Sequence, residues 1–297
     1  MNVKEMKDLK IGDVLENVSL KNYTTYHLET ITRFLVFPRT IADLKTILSY
    51  LKERNIPHKI LGGGSNLIFK NSVYEGVLIH LKYFNKLEII ENQVKVGAGY
   101  SLMRLSLKTV GLGLSGLEFA SGIPGTLGGA IFNNAGAYQS DIGYVLLEAT
   151  VLTPSLEVMT LKNRQMDFHY RTSFFKENPG YVVLEGKFLL KPSKSTLLYE
   201  IVEDRKKRRM ESQPLELPSA GSVFRNPKDM PAWQVVEKLG YKGFSIGGAM
   251  VSEKHANFIV NKKGATGKDI VALIQKIQKD AFEKLNINLV LEQEIVE

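Results

Sequence analysis

The chain has 297 residues, more than one typical core, so two or three compact units of about 100 to 150 residues are expected. Its 44% hydrophobic and 24% charged residues are a globular composition, no apolar run approaches the roughly 18 residues that span a bilayer, and the absence of cysteine excludes disulfides, thiolate metal ligands and a cysteine nucleophile. A formal net charge of +8 favours anionic partners, and the N-terminal run MNVKEMKDLKIGD lacks the apolar stretch of a signal peptide, so a cytoplasmic protein without membrane insertion is expected.

Apolar spacing predicts a helix over Thr40 to Asn55, opened by a Thr40/Asp43 capping box and ended by Pro57. A strand then leads into the Gly62 turn. Residues 77 to 81, 87 to 90 and 93 to 97 read as short strands, Ser101 to Val110 as a helix, and 145 to 152, 156 to 161 and 181 to 190 as further strands. Pro192 and Ser193 mark the expected boundary, giving units 1–192 and 193–297. Beyond it come the basic segment Thr196 to Met210, helices over 232 to 239 and 267 to 285, the latter opened by Thr266 and Asp269, and a final strand from Ile287 to Ile295. Both parts are α+β.

The most informative stretch is SGIPGTLGGAIFNNAG, Ser121 to Gly136, where glycines and paired asparagines interrupt apolar residues with no helical or strand period. Backbone without Cβ atoms can turn its N–H groups toward an anion while a flat ring lies against it. A second cluster, Gly62-Gly63-Gly64-Ser65-Asn66, supplies more donors, and the pair points to a pyrophosphate-bearing cofactor. The candidate contacts are Gly62, Gly63, Gly64, Ser65, Asn66 and Leu67 in one loop, and Gly122, Ile123, Pro124, Gly125, Thr126, Gly128, Asn134 and Gly136 in the other.

Other patterns are weaker. Gly111, Gly113 and Gly116 match the dinucleotide fingerprint but follow a helix and precede no long one, so a connecting turn is expected. Gly243-Phe-Ser245-Ile-Gly247 matches the nucleophile elbow without a strand before it. The five histidines show no metal-ligand spacing, so no metal is expected. Acidic residues interleave with the basic run 205–209 and no aromatics alternate with it, as on a solvated helix face, so no nucleic-acid partner is expected.

LGGGSNLI at 61–68 and SGIPGTLGGAIFNNAGAY at 121–138 resemble the UDP-N-acetylenolpyruvoylglucosamine reductase family. His169-Tyr170-Arg171-Thr172-Ser173 is similar to its Tyr-Arg-x-Ser segment, Pro218 to Pro227 to its serine loop, and Leu239 to Asn261 with Leu291-Glu-Gln-Glu294-Ile complete the series. Two departures are Thr25 to Pro38, which lacks the usual glycine pair, and Gln139, where a glycine commonly follows the tyrosine. The resemblance implies an FAD-binding domain of the PCMH, vanillyl-alcohol-oxidase-like type in two subdomains, then a C-terminal α+β substrate-binding domain, as in the shorter type II subclass.

It also implies FAD as cofactor, NADPH as hydride-donating co-substrate, and UDP-N-acetylglucosamine enolpyruvate as the substrate reduced to UDP-N-acetylmuramate for peptidoglycan, in a cleft beside the C-terminal domain. Arg171, Ser222 and Glu294 are then the catalytic candidates, with Tyr170 and Asn226 as substrate contacts. Arg171 suits a carboxylate that gathers charge, because its planar fork binds bidentately and never loses its proton. Ser222 would donate a proton to the carbanionic carbon, and Glu294 would assist as a protonated carboxyl, a state that needs its pKa raised. Related flavin oxidases and non-catalytic flavin or nucleotide carriers are the alternatives.

Overall fold

The computed structural model describes residues 3–297, with side chains described from Glu5 onward. The chain divides into two compact units, Met1–Glu16 with Phe34–Gly63 and Gly76–Lys207, and Asn17–Arg33 with Gly64–Glu75 and Arg208–Glu297. The last change of unit comes after Lys207, inside the helix Ser195–Ser212, rather than at Pro192.

The first unit holds a five-stranded sheet in the order Val158–Lys162, Leu146–Leu152, Val182–Leu189, Gln93–Gly97, Leu87–Ile90, with every pairing antiparallel. Leu87–Ile90 and Gln93–Gly97 alternate and Leu146–Leu152 and Val182–Leu189 are largely buried, whereas Val158–Lys162 is exposed except at Leu161. His58–Leu61 pairs in parallel with Val73–His80, which sets the start of the Gly62 loop at a strand end. The helix Ile41–Glu53 has the reciprocal capping box: Asp43 N–H donates to Thr40 Oγ1 at 3.1 Å, and Thr40 N–H to Asp43 Oδ2 at 3.1 Å. It buries Leu44, Ile47, Leu48 and Leu51 in a core shared with Val94, Val96, Val151 and Phe188.

One element was not legible in advance. The glycine-rich stretch, expected to be irregular, contains the helix Leu127–Asn133, capped by the Thr126 hydroxyl and packed on the sheet where Gly186 leaves room for Ile131. Its two glycines weaken helix propensity, and burial of Leu127, Ala130 and Ile131 compensates.

The second unit is built on the antiparallel strands Ser245–Ile246, Ala249–Val251 and Ile259–Asn261. The helix Gly267–Leu285 follows, opened by the Thr266/Asp269 capping box, and buries Ile270, Leu273, Ile274 and Ile277. The expected final strand is much shorter than Ile287 to Ile295: only Glu294–Val296 forms a ladder, in parallel with Leu67–Phe69. The residues before it bond instead to the serine loop, through Arg225 N–H to Val290 O and Glu292 N–H to Val223 O, both at 2.8 Å.

His80 ends the strand Val73–His80 with its ring centroid 5.6 Å from that of Phe37. Burial, aided by the Lys82 charge, depresses the imidazole to about 4. An unfolded imidazole titrates near 6.5, so the unfolded chain takes the proton first, and stability present above about pH 6.5 is lost as pH falls toward 4. That linkage is worth about 3 kcal/mol. Urea unfolding of wild type and His80→Gln across this window should show the variant losing less stability by about that amount; parallel curves would refute it.

Candidate active site

In the first unit the two glycine loops meet backbone to backbone. A Cβ on Gly63 would lie 2.6 Å from Gly125 Cα, and one on Gly62 would lie 2.8 Å from Thr126 Oγ1. The second loop is anchored by the residues that follow the strand Gln93–Gly97: Leu102 N–H donates to Gly125 O at 3.1 Å, Leu127 N–H to Tyr100 O at 2.9 Å, and Gly128 N–H to Ala98 O at 2.8 Å. Gly128 therefore spends its amide on Ala98, and a Cβ there would press on the Ala98 side chain at 3.0 Å. Asn134 is likewise committed inward: its amide donates to His169 O at 2.8 Å, its Oδ1 accepts from Gly143 N–H at 2.9 Å, and it is buried. A surface made of backbone at two abutting loops fits a flat, pyrophosphate-linked group.

Arg171 belongs to the same unit. His169 and Thr172 exchange backbone bonds at 3.2 and 3.1 Å across a tight turn whose second central residue, Arg171, has φ +59°. Glycine is the favoured residue in that region, and an arginine held there costs of order 1 kcal/mol. Arg171 Nη2 donates to Gly136 O at 2.8 Å, and its guanidinium lies 5.1 Å from the Tyr170 ring, which is half exposed. Burial raises the neighbouring Asp141 carboxyl above its ordinary range, against the opposing Asn134 hydrogen bond and Arg171 charge. Gly136–Ala137 and Ser140–Asp141 form a hairpin whose loop residues, Tyr138 at φ +54° and Gln139 at φ +59°, are both left-handed. Gln139 thus keeps a turn geometry that a glycine would occupy without strain.

The second unit holds the serine loop. Gly221, at φ +75°, turns the chain into Ser222, which bridges Phe258 across an isolated antiparallel pair. Asn257, buried, clamps the residues after it: Val223 N–H donates to Asn257 O at 2.9 Å, Phe224 N–H to its Oδ1 at 2.9 Å, and its Nδ2 to Phe224 O at 2.8 Å. Asn226 is exposed and uses Oδ1 to accept from Ala232 N–H at 3.0 Å, so it caps the helix Ala232–Lys238. Glu294 N–H donates to Asn66 O at 2.8 Å and Asn66 Nδ2 to Glu292 O at 3.2 Å, which ties the Gly64–Leu67 half of the first motif to the terminal segment. The Glu294 side chain is exposed.

Sequence reasoning left Asn257 and His255 without roles. A polar residue inside the apolar run Ala256 to Val260 was the available signal for Asn257. His255 lines a pocket of about 290 Å³ with Ser212, Trp233, Glu237, Lys242, Lys254 and Ala256. Burial holds its imidazole below the usual range, and Nδ1 accepts from Asn257 N–H at 3.2 Å, which leaves the neutral ring's proton on Nε2.

Backbone loops of this kind on an α+β scaffold define a flavin-binding oxidoreductase, and residues 32–162 match the FAD binding domain model. Residues 213–296 match the model described as UDP-N-acetylenolpyruvoylglucosamine reductase, C-terminal domain. The chain is 42% identical over 294 residues to the UDP-N-acetylenolpyruvoylglucosamine reductase of Bacillus pumilus, covering 98% of this chain and 97% of that one. Its identity to the Bacillus subtilis reductase is 41% over 296 residues, 99% of this chain and 97% of the other. The crystal structure of the Thermus caldophilus reductase superposes with a TM-score of 0.81 at 29% identity, over 96% of this chain and 98% of that one. The chain belongs to the UDP-N-acetylenolpyruvoylglucosamine reductase family.

Gln139→Gly should raise unfolding free energy by about 0.5–1 kcal/mol in urea titrations, because the left-handed strain disappears. No gain would mean the turn relaxes around glutamine. Gly63→Ala, which forces a methyl group into Gly125, should purify with little or no bound flavin, read from the yellow absorbance; full retention would remove the loop contact from cofactor binding.

Proposed function

We propose that the protein reduces UDP-N-acetylglucosamine enolpyruvate to UDP-N-acetylmuramate with NADPH as hydride donor and FAD as bound cofactor, a step in peptidoglycan precursor synthesis. Bound flavin supplies an acceptor and donor of hydride, so that one group can serve both substrates in turn. Gly62, Gly63, Gly125 and Thr126 would hold it through the backbone.

The observation that carries the reading is the serine loop. Ser222 is bridged to Phe258, whose ring centroid lies 4.8 Å from that of His255 in the pocket wall. Ser222 thus sits on a backbone-fixed loop whose bridge partner packs against the pocket wall, the placement we assign to proton delivery to a bound nucleotide sugar. Lys242 and Lys254 bring positive charge suited to a diphosphate, now balanced by Glu237 at 2.9 Å and Glu216 at 3.9 Å, and Lys254 also donates to Met210 O. Trp233 offers a ring on which uracil could stack, and His255, neutral with Nε2–H, is a donor rather than a third cation.

Chemically, reduction adds hydride to the enolpyruvyl methylene carbon and a proton to the adjacent carbon. Ser222 would give that proton, and Arg171 would bear on the carboxylate that gathers the charge between the two events. The strained backbone at Arg171 is consistent with a side chain kept for function. Glu294 is assigned a supporting role in the same proton transfer, with Tyr170 and Asn226 as substrate contacts.

The test is anaerobic. NADPH should bleach the flavin of the purified enzyme, and the enolpyruvyl substrate alone should restore its colour; restoration only by oxygen would indicate an oxidase, and absence of flavin a non-catalytic binder. In Ser222→Ala, bleaching should keep its rate while substrate-driven recovery slows by about 100- to 10,000-fold, and equal loss of both steps would remove Ser222 from the role. Arg171→Lys, which retains charge but not the fork, should slow recovery by about 100-fold with FAD retained; loss of FAD instead would make Arg171 structural.

A further inference from the structure

We propose that Gln293 is a positioning residue that aims the Ser222 loop, held in turn by the buried hydroxyl of Tyr26; this rests on the assignment of Ser222 as proton donor. Gln293 is 3% exposed. Its Nε2 lies 3.1 Å from Ala220 O, 3.1 Å from Gly221 O and 3.4 Å from Ser222 O, so two N–H groups serve three consecutive carbonyls. Its Oε1 accepts from Tyr26 Oη at 2.9 Å.

Tyr26 is fully buried, and burial pushes its phenol up, so it remains a donor at every physiological pH. Donation from Tyr26 fixes which end of the Gln293 amide is oxygen and therefore which end faces the carbonyls. Tyr26 is itself anchored, since Asn261 Nδ2 donates to its carbonyl at 2.9 Å.

The geometry has a consequence for Ser222. In a trans peptide the N–H points opposite to the preceding C=O. Gathering the carbonyls of Ala220, Gly221 and Ser222 on one amide turns the N–H groups of Gly221, Ser222 and Val223 the other way. The Val223 N–H shows this, since it reaches Asn257 O at 2.9 Å. A Cβ on Gly221 would meet nothing within 4 Å, so side-chain packing does not fix that position; Gln293 holds the carbonyls of Ala220 to Ser222 on one side of the loop, and Asn257 the amides of Val223 and Phe224 on the other. Gln293 also precedes Glu294, whose N–H is pinned to Asn66 O at 2.8 Å, so one buried amide joins the serine loop to the segment that carries the carboxylate.

The experiment compares full-length, flavin-loaded wild type with Gln293→Met, which keeps length and bulk but removes donor and acceptor, and with Tyr26→Phe, which deletes one oxygen. Both half-reactions are followed anaerobically, with substrate affinity, the solvent deuterium isotope effect on substrate-driven recovery, and amide exchange of residues 219–224. Bleaching by NADPH should stay within about twofold, while recovery at saturating substrate slows by about 10- to 100-fold in Gln293→Met and about 3- to 10-fold in Tyr26→Phe. The isotope effect should rise, because proton delivery becomes more limiting, and exchange of the loop should quicken.

Equal loss of both half-reactions, or quicker exchange with unchanged recovery and isotope effect, would overturn the proposal. Should Gln293→Met fail to fold, Tyr26→Phe decides it by the same measures. A wild-type enzyme that bleaches but never recovers with substrate would sink the functional reading instead, while the exchange measurement would still read the grip of Gln293 on the loop.

Discussion

Two main chains in direct contact, with no side chain between them, set the conditions for the rest of the first unit. Gly63 can approach Gly125 only because Gly63 carries no Cβ, and the missing Cβ of Gly62 would strike the Thr126 hydroxyl that caps the following helix. Such a contact gains little from apolar burial, so it must be held from elsewhere. The end of strand Gln93–Gly97 and the residues after it provide that hold, taking the amides of Leu127 and Gly128 and giving one to Gly125 O through Leu102. Sheet and loop are thus one device: the strands fix the position, and the glycines keep the surface bare.

The same unit concentrates backbone strain near its arginine. Asn134, Tyr138, Gln139 and Arg171 all have positive φ, each costing of order 1 kcal/mol for a residue with a Cβ. The hydrogen bonds that offset this cost run outward from the strained residues: Asn134 bonds the carbonyl of His169, Arg171 bonds the carbonyl of Gly136, and Tyr138 Oη bonds Arg205 O at 3.0 Å. Arg171 is therefore not a free cation on a turn but a side chain whose backbone and guanidinium are both constrained. In the role proposed for Arg171, constraint of that kind would lower the reorganisation needed as charge develops on a carboxylate.

Local signals in the sequence were reliable where the physics is local. Both capping boxes, Thr40 with Asp43 and Thr266 with Asp269, occur in the structure because hydroxyl and carboxylate three residues apart satisfy each other's backbone amides. The strands of the five-stranded sheet were legible from alternation. What escaped depends on distant partners: the helix inside the glycine stretch exists because the sheet beneath it buries Leu127 and Ile131, and Glu294–Val296 pairs with Leu67–Phe69, far away in sequence. Residues 287–293 look like strand, but Ile287 and Leu289 bond the long helix while Val290 and Glu292 bond the serine loop. Unit boundaries were hidden for a related reason, since the chain changes unit within the strands Asp13–Ser19, Ile31–Phe37 and Val73–His80 and leaves no linker to read. The glycine loops, Arg171 and Ser222 were visible as motifs, whereas Gln293 is an ordinary polar residue until its burial and its three carbonyl partners are known.

The motif LGGGSNLI carries two different physical duties, and this explains its composition. Gly62 and Gly63 face the second glycine loop in the first unit, where absence of a side chain is the requirement. From Gly64 onward the residues belong to the second unit, and the requirement reverses: Ile68 is fully buried in its core, and Leu67–Phe69 pairs with the terminal strand. The ladder is extended by Lys70 N–H to Val296 O at 2.9 Å and closed by the Lys70 ion pair to Glu297 at 2.8 Å. A Cβ on Gly267, at the start of the long helix, would lie 1.8 Å from Phe69 O, so the helix also abuts this strand. Asn66 stands at the change of duty, with its side chain on Glu292 O and its carbonyl on Glu294 N–H. A motif read as a cofactor loop is therefore also the anchor of the segment that presents Gln293 and Glu294. Changes at Asn66 to Phe69 would also reach the serine loop through the segment that carries Gln293.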